Sequence, residues 1–275
     1  MFRIILLGGE IIHMARFCPL YSGSSGNSTF IGDSNGGILV DAGVSCKSIV
    51  DGLREIGQQP EQIKSIFITH EHSDHIKGLK VFLKKYPVSV ISSEGTLNAL
   101  VKGDHIPRGI NCHVIQSGGV EVHGIQVNSF PTSHDTSESV GYRMVWGERK
   151  MAVVTDLGKI TDEVREAVIG CDLVMLESNY DKQMLSQSSY PYFLKRRIQG
   201  EKGHLSNDDC GEFVADLIKK GATRFYLAHL SNENNTPSTA YDHSINLLSS
   251  KNMVLGEDYI LDVASRYKPS KGMSF

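Results

Sequence analysis

Four side chains able to bind a metal ion, His70, His72, Asp74 and His75, occupy six consecutive positions directly after the apolar, β-prone stretch Ile66-Phe67-Ile68. Imidazoles and a carboxylate gathered so tightly are costly to hold together unless a cation neutralises and coordinates them, whereas a lone histidine at a strand edge is ordinarily a satisfied polar residue. In extended backbone His70 and His72 project to the same side. Asp74 and His75 follow where the chain turns into a helical pattern beginning near Ile76, so two ligand pairs are expected to face one cavity. A two-metal site needs more donors, and three further candidates each end an apolar run: His134 after 126–130, Asp156 after 151–154 and His229 after 225–228. Each alone reads equally well as a surface or capping residue, but together they are the donors a sheet's loop face would collect. His13, His105, His113, His123 and His243 lack this context and read as surface or core residues.

The elements that must position these residues are legible in the hydrophobic pattern. Ile38-Leu39-Val40 is a buried-strand run ending at Asp41-Ala42-Gly43, and Ile49, Val50, Leu53 and Ile56 give helical spacing over 46–57, stopped by Gly57. A strand over 64–69 delivers the histidine motif. A helix over 76–86 follows, halted by Pro87. Then come a strand at 88–91, a helix near 93–101, and strands around 111–115, 120–130, 139–146 and 150–155. The second half continues with helices at 160–169, 190–198, 207–220 and 237–250 and strands at 172–176, 224–228 and 258–262. Ser206 and Thr236-Pro237 supply the start signals of the last two helices. Strands and helices in two similar halves predict an α/β (α+β) fold of four layers, an αββα sandwich.

With 275 residues and 40% hydrophobic side chains, the chain suits a single soluble domain over 14–275. Met14 reads as a plausible alternative start, which would make residues 1–13 an N-terminal extension. No run approaches the roughly 18 apolar residues needed to span a bilayer, and Gly8-Gly9-Glu10 interrupts the only signal-like start, so a cytoplasmic protein without membrane contact is expected. Five scattered cysteines with no CxxC pair read as buried thiols in a reducing compartment. The sequons at Asn27 and Asn234 are read as coincidental. A net charge of −3 argues against a generally polyanion-binding surface while leaving room for a local basic face. Oligomeric state does not follow from these residues.

From Phe17 to about Asp262 the chain resembles the metallo-β-lactamase superfamily, on Asp41, the HxHxDH run His70, His72, Asp74 and His75, then His134, Asp156 and His229. The resemblance implies that His70, His72 and His134 hold one divalent ion, that Asp74, His75 and His229 hold a second, that Asp156 bridges them, and that Asp41 orients the motif loop. Asp156 in place of a cysteine and His229 as the last ligand look like the superfamily's phosphoester hydrolases more than its lactamases. Paired cations can share a hydroxide nucleophile and clamp phosphate oxygens. Nitrogen and oxygen donors suit Zn, Mn or Fe without choosing among them.

The strings 22–28, 203–207 and 229–235 resemble more closely the YycJ/WalJ (VicX) group, which looks like metal-dependent nucleases. The resemblance implies a binuclear phosphodiesterase, a 5′-to-3′ exonuclease acting on DNA in repair. Ser/Gly/Asn loops expose N–H groups without bulk, so Ser24, Ser25, Asn27, Asn179, Ser206, Ser231 and Asn232 are candidate substrate-binding residues, with a solvated turn as the plain alternative. Asp74, His204 and Glu177 are the candidate catalytic residues: His204 resembles the histidine that related nucleases use to protonate the leaving oxygen, and Glu177 would orient it. Arg196 and Arg197, with Lys195, Lys202, Tyr190, Tyr192 and Phe193, suit phosphate gripping and base stacking, or equally a solvated helix face. About 20 residues separate His134 from Asp156, too few for the arm of many tRNase Z enzymes, and the interval to His204 cannot house a β-CASP domain. A PhnP-like cyclic-phosphate phosphodiesterase and a non-catalytic binding member of the fold remain the alternatives.

Overall fold

The computed structural model describes residues 5–7, 10–12 and 15–274. Met14 and His13 lie outside the described residues, as does much of the expected extension over 1–13. Its described part forms a two-stranded antiparallel ladder of its own, β1 (Ile5–Leu7) with β2 (Glu10–Ile12). The chain divides into two compact units, Met1–Gln126 with Ser265–Phe275, and Val127–Ala264.

The first sheet comprises β3 (Arg16–Tyr21), β4 (Ser28–Asp33), β5 (Gly36–Val40), β6 (Ile63–Phe67), β7 (Ser89–Ser92), β8 (Cys112–Val114) and β16 (Met273–Ser274), seven strands in the order β16-β3-β4-β5-β6-β7-β8. β5 to β8 run parallel. Helices α1 (Cys46–Glu55), α3 (Leu79–Lys85) and α4 (Glu94–Lys102) bury Ile49, Leu53, Leu79, Phe82, Leu97 and Leu100 against Leu39, Ile66 and Val90 of these strands. Ser45 and Ser93 cap α1 and α4 by accepting the N–H three residues on.

The second sheet comprises β9 (Val120–Val122), β10 (Ile125–Pro131), β11 (Val140–Trp146), β12 (Arg149–Val154), β13 (Leu173–Glu177), β14 (Arg224–Ala228) and β15 (Ile260–Val263), in the order β15-β14-β13-β12-β11-β10-β9. β12 to β15 run parallel. Leu173 to Glu177 are buried at every position, which explains why Leu173 to Leu176 form an unbroken apolar run rather than an alternating one. Helices α5 (Asp162–Val168), α8 (Asn207–Lys219) and α9 (Pro237–Ser250) bury Val164, Val168, Phe213, Leu217, Ala240 and Leu248 against Val154, Val174, Leu176, Phe225 and Leu227. Ser206 and Thr236 are the N-caps that their sequence signals indicate.

Several elements differ from the sequence reading. The helix expected over 76–86 is two pieces, α2 (Ser73–Ile76) and α3, so Asp74 and His75 lie inside a helical turn rather than ahead of one. Gly78 sits at the joint because a Cβ there would come within 2.1 Å of the Val44 carbonyl oxygen. The strand expected over 120–130 folds back at His123-Gly124, both at positive φ (56° and 72°), as a tight type I′ turn requires. Helix α6 (Lys182–Gln187) went unread because it buries one apolar side chain, Leu185, and so shows no period. It precedes α7 (Tyr192–Ile198). Four cysteines are buried as expected, but Cys112 is exposed. Asn27 and Asn234 are buried, which fits reading their sequons as coincidence. No helix among the described residues is long and apolar enough to cross a membrane.

Candidate functional site

In each unit the chemistry-bearing residues sit just past the C-terminal ends of adjacent parallel strands, where an open α/β sheet collects its ligands. In the first unit, β5 ends at Val40 and Asp41 turns into left-handed backbone at φ 64°. Its main-chain N–H donates to the Phe67 carbonyl at 2.8 Å, tying it to the end of neighbouring β6. One carboxylate oxygen of Asp41 accepts the Thr69 N–H at 2.8 Å, and the other lies 2.8 Å from His75 Nδ1. Thr69 Oγ1 lies 3.1 Å from His70 Nδ1 and 3.2 Å from His75 Nδ1, so this hydroxyl joins Asp41 to two histidines. His70, His72 and His75 cluster, with ring centroids 4.7 Å apart for His70–His72 and 4.1 Å for His70–His75. The strand ends at Phe67, so His70 and His72 project from the loop and not from the strand itself.

Asp74 is held through its backbone. Its carbonyl accepts the Asn27 N–H at 2.8 Å, Asn27 O accepts the Gly43 N–H at 2.7 Å, and a Cβ on Gly43 would lie 1.6 Å from Asp74 O. Only glycine lets the two backbones approach so closely. The Asn27 side chain closes its own loop, accepting from Gly23 N at 3.0 Å and donating to Gly23 O at 3.1 Å, and its Nδ2 reaches His75 Nε2 at 3.2 Å. Ser24 and Ser25 are exposed on that loop.

In the second unit, three neighbouring strands deliver Asp156 two residues beyond β12, Glu177 at the last position of β13, and His229 one residue beyond β14. Asp156 and His229 adopt left-handed backbone, φ 59° and 53°, as Asp41 does. Non-glycine residues there carry strain that packing must overcome, and such strain concentrates at functional sites. Glu177 is fully buried and accepts four hydrogen bonds: Oε2 from Leu157 N (3.1 Å) and Leu205 N (3.0 Å), Oε1 from His204 Nδ1 (2.9 Å) and His229 Nδ1 (2.7 Å). Burial alone would push this carboxyl up, but the charge and N–H groups of His204 and His229 outweigh it and hold the carboxyl below the usual range.

His134 donates from Nδ1 to the Gly203 carbonyl at 3.1 Å, and its Nε2 faces Asp156 Oδ1 at 3.6 Å. Asp156, Glu177, His204 and His229 bring one donor atom each within 4.8 Å of one another. His75, His134 and His229 thus share one arrangement: Nδ1 faces an oxygen acceptor, Asp41 Oδ2, Gly203 O and Glu177 Oε1 respectively, the second-partner pattern that orients a metal-binding imidazole through its other nitrogen. These nitrogen and oxygen donors fit divalent cations of the Zn, Mn or Fe kind.

The remaining substrate candidates mostly face inward. Asn179 donates to the His229 carbonyl at 2.7 Å, Ser206 caps α8, and Ser231 Oγ accepts the Asn234 N–H at 3.2 Å. Asn232, Arg196 and Arg197 are exposed. Sequence reasoning missed a buried amide lock: Asn235 Nδ2 donates to Ser178 O (2.9 Å), Asn179 O (3.2 Å) and Asn207 Oδ1 (2.8 Å), while Asn207 Nδ2 returns a bond to Asn235 Oδ1 at 3.2 Å. This lock fastens the segments just after Glu177, His204 and His229 together. Thr69 and Gly43 were also missed, although Thr69 adjoins His70 and Gly43 ends the Asp41 string.

Comparison with known proteins agrees with this architecture. The profile of the Beta-lactamase superfamily domain matches residues 37–230. The chain is 35% identical to exodeoxyribonuclease WalJ of Streptococcus pneumoniae over 247 residues, 89% of this chain and 92% of that protein. It is also 35% identical to exodeoxyribonuclease YycJ of Bacillus anthracis over 259 residues, 93% and 97% of the two chains. Among solved structures, the metallo-β-lactamase fold protein YhfI from Bacillus subtilis superposes with a TM-score of 0.71 at 12% identity, covering 95% of this chain and all (100%) of YhfI, which bears on fold alone. Two seven-stranded sheets with flanking helices, the profile match and near-full-length identity place this chain in the WalJ/YycJ family of metallo-β-lactamase-fold, metal-dependent hydrolases.

Proposed function

We propose that this protein is a metal-dependent DNA exonuclease that releases nucleotides from a 5′ end. The observation that carries the reading is 35% identity, across nearly the whole chain, to two proteins named exodeoxyribonucleases. The proposed ligand set is His70, His72 and His134 for one ion and Asp74, His75 and His229 for a second, with Asp156 shared. Three of those imidazoles have Nδ1 held by an oxygen acceptor, which supports it. We also read residues 14–275 as one domain, since the family profile over 37–230 runs through both compact units.

Bound divalent ions would supply an acidified water as nucleophile and neutralise the phosphate. The protein's own part is proton delivery and alignment. His204 Nδ1–H donates to Glu177, so the proton that a charged His204 can deliver is the one on Nε2. It passes to the 3′-oxygen as the P–O bond to the departing nucleotide breaks, leaving a neutral imidazole. His204 is part-exposed beside buried His229 and Glu177, as a group that must meet both substrate and solvent requires.

The test is digestion of a 5′-phosphorylated DNA duplex labelled at either end, with Mn, beside matching RNA, a cyclic nucleotide and the Asp74→Ala variant. Stepwise mononucleotide release from the 5′ end that disappears in Asp74→Ala is the expected result. His204→Ala should keep its metals and slow the chemical step by roughly 10²–10⁴. Intact DNA alongside a cleaved cyclic nucleotide would overturn the reading.

A further inference from the structure

The segment from 182 to 202 stands apart in charge: Lys182, Lys195, Arg196, Arg197 and Lys202 against one acidic residue, Glu201, in a chain of net charge −3. Lys159 neutralises that acid at 2.7 Å. The segment has its own small core, in which Leu185 and Ile198 pack on Tyr180 with Tyr190 and Leu194 at its edge. Burying Leu194 and Ile198 leaves the opposite face of α7 to Tyr192, Phe193, Arg196 and Arg197. Tyr192 and Phe193 are 77% and 74% exposed, two adjacent large rings left mostly in water.

Helical spacing sets each ring one turn from an arginine: Tyr192 with Arg196, and Phe193 with Arg197. Paired aromatic and guanidinium groups on an exposed, locally basic face match the chemistry of single-stranded nucleic acid, whose bases stack on rings while its phosphates meet cations. Three tethers tie this face to the reacting groups. His204 N donates to Ile198 O at 2.9 Å, Gly203 O holds His134, and Arg197 is braced by Asp135, the neighbour of His134, at 2.6 Å. Tyr192 and Phe193 lie about 8–9 Å of helix rise from Ile198, on the short helix to which the His204 backbone is hydrogen-bonded.

Building on the nuclease reading above, we infer that Tyr192 and Phe193, with Arg196, form a stacking platform for unpaired bases of the strand being cut. The experiment is fluorescence anisotropy of the full-length protein in EDTA with a 5′-phosphorylated single-stranded oligonucleotide carrying 2-aminopurine at its terminal positions. Tyr192→Ala/Phe193→Ala should bind about 10-fold or more weakly, since each stacked base contributes on that scale, and should lose the 2-aminopurine quench. Arg196→Ala should flatten the salt dependence of binding. The double variant should also raise KM for the oligonucleotide at unchanged kcat, hydrolyse bis(p-nitrophenyl) phosphate like wild type, and melt at the same temperature. Tyr267→Ala, which removes an equally exposed ring (76%) elsewhere, should change none of these.

Unchanged affinity and quench in the double variant would overturn the platform while leaving the nuclease reading intact. A wild-type oligomer that dissociates in the double variant would overturn it in favour of a self-association surface. Wild-type protein that hydrolyses the small diester but neither binds nor cuts oligonucleotides would overturn the nuclease reading itself.

Discussion

Replacing Glu177 with Gln keeps the side-chain volume and removes one charge, and its consequences follow from the four donors around the carboxylate. The N–H groups of Leu157 and Leu205 cannot change polarity, so the amide oxygen must turn toward them and the NH₂ toward His204 and His229. Each imidazole can then accept at Nδ1 only by moving its proton to Nε2, the atom needed for metal or for the leaving oxygen. Four bonds to a charged acceptor at about 1.5–3 kcal/mol each become four to a neutral one at about 0.5–1.5, a gross loss of roughly 5 kcal/mol. Relief of the buried charge offsets part of this. Because the Glu177 carboxyl is held low despite its burial, the bonds outweigh that relief, and a net loss of about 2–3 kcal/mol remains. This is survivable for a domain stable by about 5–15 kcal/mol. Glu177→Gln should therefore fold, melt roughly 5–10 °C lower, bind metal about 10–100-fold more weakly and turn over roughly 10²–10⁴ more slowly. Calorimetry, a metal-competition titration and ¹⁵N NMR of the imidazole tautomers measure each effect. His229 retaining its Nδ1 proton, together with wild-type metal affinity, would refute the reasoning.

The same carboxylate has a pH signature: held from an ordinary 4.5 down to about 2, it stabilises the fold fully above the upper value and progressively less as pH falls toward the lower. Urea unfolding of wild type and Glu177→Gln should accordingly converge through that window, and a constant gap would count against it. Asp41→Asn, which tolerates the left-handed backbone but cannot hold a charge against His75 Nδ1, should weaken metal binding about 10–100-fold without unfolding the chain, as read by titration and circular dichroism. Asn235→Ala removes three buried donor contacts and should lower unfolding stability by about 2–4 kcal/mol in urea. Gly43→Ala should abolish stoichiometric metal uptake or folding, because its Cβ would meet backbone at Asp74 and Asn27, whereas Gly118→Ala, with open space around it, should stay within about 0.5 kcal/mol of wild type.

The strands carrying the site were legible because buried parallel strands need apolar side chains throughout, so Asp41, Asp156 and His229 stood out as polar residues directly after such runs. The HxHxDH cluster was legible for the same local reason. The split of the expected 76–86 helix was not, since an isolated glycine within a helical pattern is only a weak break signal, and the approach of the Val44 carbonyl that requires glycine there is tertiary. The Ser/Gly/Asn strings show the division most clearly. Their composition announces hydrogen bonding and says nothing of the partner. Read alone they suggest loops open to phosphate; in the folded chain Asn27, Asn179, Asn207 and Asn235 spend their amides on backbone, histidine and one another. Sequence by itself determined residue types, strand ends and helix caps, because those depend on neighbours within a few positions. Tertiary structure decided which proton each imidazole carries and where each amide points, because Glu177 meets His204 across 27 residues and His229 across 52, and Asn235 meets Ser178 across 57. Only packing brings such partners within hydrogen-bond reach.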